Sequence, residues 1–172
     1  MPSPAYLTII GEKQGFITKG AFTAASVGNV YQKGHEDKIL VQSFIQQVSV
    51  PRDPQSGQPT GQRVHLPFEL IKVVDKSTPL LFSAACNGEK LTECTLKLFR
   101  TSAEGQLEHY FSYTLEDAII VDFRTEMPDG RDPAKDYLMA QDVIRLSYRK
   151  ITVTHVLAGT EASDDWRAPR IN

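Results

Sequence analysis

The sequence predicts a mainly β protein, a barrel or a sandwich that one short helix plugs or flanks. Apolar and polar residues alternate in about seven short segments, each bounded by Gly, Pro, Asn or Asp, which is typical of half-buried strands joined by turns. Start and stop signals for a helix occur together in one segment. With 172 residues, of which 41% are hydrophobic, the chain has the length for one domain, residues 1–172, and not for a second, catalytic one.

The strands predicted in the first half of the chain cover residues 6–10, 39–50 and 64–70. In the third of these segments, Val64 and Phe68 have the same parity, so both side chains are expected on one face. Pro67 lies inside this segment and has no N–H to donate to a ladder. It therefore favours an edge strand or a bulge.

The strands predicted in the second half cover residues 94–98, 107–115, 118–124 and 143–157. The turn residues Ser102–Gly105 predict a hairpin between the first two. In the last segment the apolar phase switches after Tyr148, which predicts a bulge near Lys150. Residues 159–172 are predicted to be a polar C-terminal tail with one large anchor, Trp166.

One helix is predicted, at about residues 77–87. Ser77 can accept a hydrogen bond from the free amides of a first turn, and Pro79 is tolerated there. Gly88 supplies a left-handed stop. The buried stripe of this helix is expected to consist of Leu80, Leu81, Ala84 and Ala85.

A long polar loop at about residues 52–62 joins two of the predicted strands, although a hairpin connection needs only about two to five residues. Such a loop is either flexible or docked on a partner. The candidate contact residues are Arg52, Asp53, Pro54, Gln55, Ser56, Gly57, Gln58, Pro59, Thr60 and Gly61. A second long loop, rich in Pro, Asp and Gly, is predicted at residues 127–140.

Charge and hydropathy argue against two classes of partner. The chain has 21 acidic and 19 basic side chains, which predicts no broad attraction to nucleic acid or to an anionic membrane. Neither a signal peptide nor an apolar run long enough for a membrane span is found in the sequence, so we expect a protein made in the cytoplasm. Cys86 and Cys94 lack the spacing of a zinc site and are expected to be reduced, partly buried thiols.

No motif for catalysis, cofactor binding or metal binding is found, so we expect no enzyme, no cofactor and no metal. The stretch His35–Asp37 is expected to carry solvated turn charges, because adjacent residues do not converge on a metal. His65, His109 and His155 are interpreted as packing or surface residues. Basic strand residues could mimic an oligonucleotide-binding surface, but solvated outer-face cations are favoured; they are Lys97, Arg100, Arg145, Arg149 and Lys150.

Several stretches, in order along nearly the whole chain, resemble the haemolysin-coregulated protein (Hcp) family, which builds the inner tube of the type VI secretion apparatus. They are Gly34–Asp37, Arg63–Phe68 continuing to Lys72, Asp75–Leu81, Ile144–Thr152 and Asp165–Trp166. The resemblance implies a barrel of two sheets with a flanking helix. It also implies that subunits close into hexameric rings around a channel, and that the rings stack into a tube.

In that family the long loop reaches neighbouring subunits, so the resemblance implies this role for residues 52–61. It further implies partners: other copies of the chain, the spike, sheath and baseplate proteins of the machine, and small effector proteins in the channel. The protein would be cytoplasmic before firing and then secreted. Since only a short tail follows Leu157, we expect the plain structural form without a toxin domain.

Two other functions stay open on the sequence. A monomeric small-ligand-binding barrel would have an apolar cavity in place of a filled core. A hydrolase or nuclease effector would need a site formed by distant side chains such as His35, His65 and His155.

Overall fold

The computed structural model describes residues 3–168 and is built mainly of strands. The strands are β1 (Ala5–Gly11), β2 (Gly15–Phe16), β3 (Ile39–Ile45), β4 (Val48–Ser49), β5 (Val64–His65), β6 (Phe68–Val73), β7 (Leu91–Thr101), β8 (Leu107–Glu126), β9 (Gln141–Ser147), β10 (Lys150–His155) and β11 (Thr160–Asp165). The helices are α1 (Ala24–Val27) and α2 (Thr78–Asn87), with 3₁₀ turns at Gly28–Val30 and Pro133–Lys135.

Nine strands form one antiparallel sheet that closes on itself. The order is β11-β10-β8-β7-β1-β3-β6-β9, with β2 attached to β1, and β9 also pairs with β8. The closed path therefore consists of β8, β7, β1, β3, β6 and β9, while β10 and β11 extend the sheet beyond it. Strands β4 and β5 form a separate two-stranded ribbon. The prediction of a mainly β barrel with a flanking helix is confirmed.

Strand β8 makes the closure possible because its two halves pair differently. Its first half lies between β7 and β10, and the residues from Ile119 to Glu126 pair with β9. Asp117 lies between the halves with φ of 53°, a left-handed conformation that few residues other than glycine adopt. The two strands predicted at 107–115 and 118–124 are thus one strand of 20 residues.

The closed path surrounds the main hydrophobic core, which includes Leu7, Ile9, Leu70, Leu96 and Leu146. A smaller cluster, formed by Tyr6, Phe22, Val27 and Val73, lies on the other face of β1. Because β1 is covered on both faces, its first residues are all buried and do not alternate.

Three predicted strands are interrupted in the structure. Segment 39–50 divides into β3 and β4. Segment 143–157 divides at Tyr148 and Arg149 into β9 and β10, so the switch in apolar phase marks a break between two strands and the predicted bulge is wrong. The third segment, 64–70, divides at Leu66 and Pro67 into β5 and β6. Val64 is 43% exposed and Phe68 is 1% exposed, so their side chains do not share a buried face. Pro67 lies in neither the predicted edge strand nor the predicted bulge but in the break between β5 and β6, and β6 pairs with both β3 and β9.

The predicted C-terminal tail is wrong for residues 160–165, which form β11 against β10. Trp166 packs against the main core, as an anchor would. The remaining tail residues, 169–172, lie outside the described residues.

The predicted helix is confirmed as α2, and Gly88 ends it with φ of 61°. Its start differs from the prediction, because the Ser77 side chain caps no amide and Ser77 itself has helical dihedrals. The Ser77 hydroxyl donates to the Asp75 carboxylate, which also accepts the Ser77 N–H at 2.9 Å. Of the expected stripe, Leu81 and Ala84 are buried, whereas Ala85 is half-buried and Leu80 is exposed. In residues 3–168, no helix is long and apolar enough to cross a membrane.

Candidate interaction surface

Residues 52–61, here called the extended hairpin, are ordered by their own hydrogen bonds. The Asp53 N–H donates to the Gln58 carbonyl at 2.8 Å, and the Gly57 N–H donates to the Asp53 carbonyl at 2.9 Å. The Asp53 carboxylate accepts from the Ser56 and Gln55 amides at 3.1 and 2.7 Å, and these bonds lower its pKa. The sequence left open a flexible or a docked loop, and the structure instead has a preformed projection.

The extended hairpin is almost entirely exposed and stands on an apolar base. Apart from the half-buried Asp53, each of its residues is exposed. The exposed apolar residues at its base are Ile45, Val48, Val50, Val64 and Leu66. Val48 pairs with His65 and Ser49 pairs with Val64, so the exposed apolar residues lie on both faces of the β4–β5 ribbon. Exposed apolar residues next to a polar projection are typical of a protein–protein contact surface. The candidate contact residues 52–61 are thus accessible, apart from the half-buried Asp53.

The ribbon at the base is tied to the C-terminal strand by Arg63 and His65. Arg63 forms a two-bond ion pair with Asp164, Nε–Oδ2 at 2.6 Å and Nη2–Oδ1 at 2.9 Å. His65 contacts the same carboxylate through Nε2 at 2.7 Å and the Tyr148 hydroxyl through Nδ1 at 2.8 Å. The Arg63 guanidinium, more than His65, lowers the pKa of Asp164 to about 2. Sequence reasoning missed this cluster because its members are about 100 residues apart.

Among residues 3–168, strand β11 pairs with β10 alone, so its other edge has no partner strand there. An unpaired edge can accept another strand, and acidic side chains discourage uncontrolled pairing. Glu161, Asp164 and Asp165 lie on this strand. This edge is therefore a second candidate contact surface.

The prediction of solvated turn charges for His35–Asp37 holds for Asp37, which is exposed in a turn, and is wrong for His35 and Glu36, which are half-buried. His35 stacks on Tyr6 with ring centroids 3.8 Å apart, and burial lowers its pKa. The Glu36 carboxylate accepts from the Tyr31 hydroxyl, and the Asp37 carboxylate accepts from the Gly20 N–H. These side chains hold the segment before β3 in place.

The other residues that could take part in catalysis or metal binding lie apart from one another. His109 contacts Ser112 at 2.7 Å, and His155 accepts from the Ala158 N–H at 3.0 Å. Cys94 is buried, which raises its thiol pKa to about 12, and Cys86 is exposed, so the expectation of two partly buried thiols is wrong for both. Residues 3–168 contain no group of three or more His, Cys, Asp or Glu residues that could hold a metal ion.

Most of the basic strand residues are paired with carboxylates and do not form a cationic surface. Arg100 pairs with Glu108, and Arg145 pairs with Glu69, both at 2.8 Å. Arg149 contacts Asp117 and Asp165, and Lys150 lies 3.5 Å from Glu116. These carboxylates offset the positive charge that would attract a phosphate backbone.

A cleft of about 500 Å³ lies beside the outer cluster of β1 and is lined in part by Tyr6, Phe22 and Leu40. Inside the closed strand path, buried side chains form a continuous core. The cleft is therefore an outer groove, unlike the central cavity that a small-ligand-binding barrel would have.

Comparison with known proteins points to one family. The family model "Type VI secretion system effector, Hcp" matches residues 6–155. A protein of Pseudomonas aeruginosa described as "Major exported protein" is 54% identical over 169 residues, which are 98% of each chain.

Solved structures agree with this comparison. A crystal structure of an Hcp protein superposes with a TM-score of 0.93 at 44% identity, covering 98% of this chain and 100% of the other. The secreted protein Hcp3 of Pseudomonas aeruginosa superposes with a TM-score of 0.83 at 46% identity, covering 97% of this chain and 100% of the other. The family model matches most of the chain and both structures match it almost throughout, so the chain belongs to the Hcp family of type VI secretion system proteins.

Proposed function

We propose that this protein is a structural tube subunit of the type VI secretion system. Its copies close into hexameric rings, and the rings stack into the inner tube that the machine expels. The observation that carries the proposal is the extended hairpin, an ordered and exposed projection on an apolar base. The exposed apolar residues of this surface do not stabilise a monomer in water, whereas a neighbouring subunit would bury them.

Residues 52–61 are proposed to contact a neighbouring subunit or the adjacent ring. The hairpin is preformed by bonds such as that from the Thr60 N–H to the Pro51 carbonyl at 2.8 Å. A preformed projection loses less conformational entropy on binding than a flexible loop does. The free edge of β11 supplies a second candidate contact.

The proposed role needs no catalysis, cofactor or metal. A contracting sheath would drive the tube and its spike outward from the baseplate, and the channel would shelter small effector proteins on the way. The dispersed histidines and the paired basic residues favour this reading over a hydrolase or nuclease. We propose that residues 1–172 form one domain, and that the protein is present in the bacterial cytoplasm before firing and secreted on firing, consistent with its relative's description as an exported protein.

Native mass spectrometry at low micromolar concentration tests the proposal, together with negative-stain imaging of the same sample. A mass of six chains with annular particles supports the ring, and stacks of such particles support the tube. A monomer at every concentration would overturn the proposal and favour the small-ligand-binding barrel, for which the outer cleft would then be examined.

A further inference from the structure

The ribbon that carries the extended hairpin does not belong to the main sheet. In the part of the chain that the structure describes, β4 and β5 pair only with each other, through Val48 with His65 and Ser49 with Val64. A two-stranded ribbon is marginally stable by itself in water. Residues 46–47 and 66–67 link the ribbon to β3 and β6, and the Leu66 N–H donates to the Gln47 carbonyl at 3.1 Å between these links. Contacts outside the sheet must add to these short links to fix the direction in which the hairpin projects.

Those contacts converge on the C-terminal segment. Within residues 3–168, the hydrogen bonds and ion pairs from residues 46–66 to the rest of the chain go to Tyr148 and to residues 164–168. Besides its ion pair with Asp164, Arg63 donates to the carbonyls of Asp165 and Ala168 at 3.1 and 3.2 Å. The Arg63 side chain is only 7% exposed whereas Asp164 is 37% exposed, so the bonds to Asp164 and Asp165 are partly shielded from water and the bond to Ala168 is exposed.

Trp166 completes the cluster. Its ring stacks on His65 with centroids 5.9 Å apart, and its Nε1–H donates to the Tyr148 carbonyl. Asp164 belongs to β11, where it pairs with Ile151 of β10, and β10 in turn pairs with β8. Besides its covalent links to β3 and β6, the hairpin is thereby connected to the barrel wall through the C-terminal strand.

We infer that Arg63 and Asp164 form a latch by which the C-terminal strand holds the extended hairpin in the direction that ring assembly needs. Both are positioning residues, since they act through the hairpin. The closed path of strands does not include β10 or β11, so opening the latch leaves the barrel closed. The consequence for assembly rests on the proposed function, whereas the control of hairpin direction does not.

Two probes that the chain already offers can report on the latch. Trp166 is the only tryptophan in the sequence and lies in the cluster, so its fluorescence reports whether the segment is docked. Cys86 is exposed on α2, and Cys94 is buried. Spin labels on Cys86 and on a Ser56→Cys substitution would give the distance distribution between the helix and the hairpin tip, with unlabelled protein added to dilute the labels.

The test compares the Arg63→Gln variant with the parent. We expect a red shift of the Trp166 emission, a broader distance distribution, and a rise of about tenfold in the concentration at which half of the chains are assembled. Arg63→Lys retains the positive charge, so it should change each readout less than Arg63→Gln does. Arg100→Gln removes an exposed ion pair elsewhere and should change none of the three readouts. Asp164→Asn, at the more exposed partner, repeats the test if Arg63→Gln does not fold.

The outcomes separate the latch from the proposed function. An unchanged emission and distance distribution in Arg63→Gln would overturn the latch, whatever the assembly state. A broadened distribution with unchanged assembly would overturn the claim that assembly needs a fixed hairpin. A parent protein that is itself monomeric would overturn the proposed function, and the spin-label comparison would still decide whether Arg63 and Asp164 direct the hairpin.

Discussion

The Lys72 ammonium lies 2.8 Å from the Asp142 carboxylate, and neither side chain has any exposed surface. Lys72 belongs to β6 and Asp142 to β9. The same ammonium lies 3.0 Å from the Asp75 carboxylate and donates to the Thr78 hydroxyl at the start of α2. This buried cluster therefore joins two strands of the barrel wall to the flanking helix.

Replacing Lys72 with Met should destabilise the fold by about 3–5 kcal/mol, because two buried carboxylates would lose their cation. The free energy of unfolding in urea measures this effect. Lys90→Met is the matched control, since the Lys90 side chain is 46% exposed in its pair with Asp117 and should contribute less than about 1 kcal/mol. Equal effects of the two substitutions would show that the buried cluster is not a principal support of the fold.

The contribution of Asp164 to stability should depend on pH. Its pKa in the folded protein is lowered to about 2, below its value in an unfolded chain, so the ionised carboxylate favours the fold. The difference in unfolding free energy between the parent and Asp164→Asn should be constant above about pH 5 and shrink as the pH falls toward 2. Urea unfolding of both proteins between pH 2 and pH 7 measures this difference. A difference that grew on acidification would contradict the assignment, and Asp136→Asn is an exposed control.

Deleting Gln55–Thr60 should leave the barrel folded and weaken assembly. These residues are exposed and bond within the hairpin, so the core loses no contact when they are removed. Circular dichroism and thermal unfolding test the fold, and native mass spectrometry with imaging tests rings and tubes. Unchanged formation of rings and tubes would refute the role proposed for residues 52–61.

Gly88→Ala should destabilise the protein by about 1 kcal/mol, because Gly88 ends α2 in a left-handed conformation that alanine adopts only with strain. The space around it is open, so the effect should come from the backbone alone. Gly130→Ala is the matched control, since that position is also open and has no positive φ. Chemical unfolding of the two variants decides whether Gly130→Ala is the milder change.

The sequence by itself determined the local elements. Alternation predicted the strand content, and the signals around Pro79 and Gly88 predicted α2 to within a residue, since those signals act over a few neighbouring positions. The ordered stretches also identified the Hcp family, which the comparisons confirmed.

Only the tertiary structure decided how these elements meet. Whether β8 is one strand or two depends on β9 and β10 as partners, and β11 is too polar to be recognised without β10 beside it. The hairpin's internal bonds and the ion pair of Arg63 with Asp164 likewise depend on residues that folding brings together. Pairing across the chain follows from register and closure, and a short window of sequence contains neither.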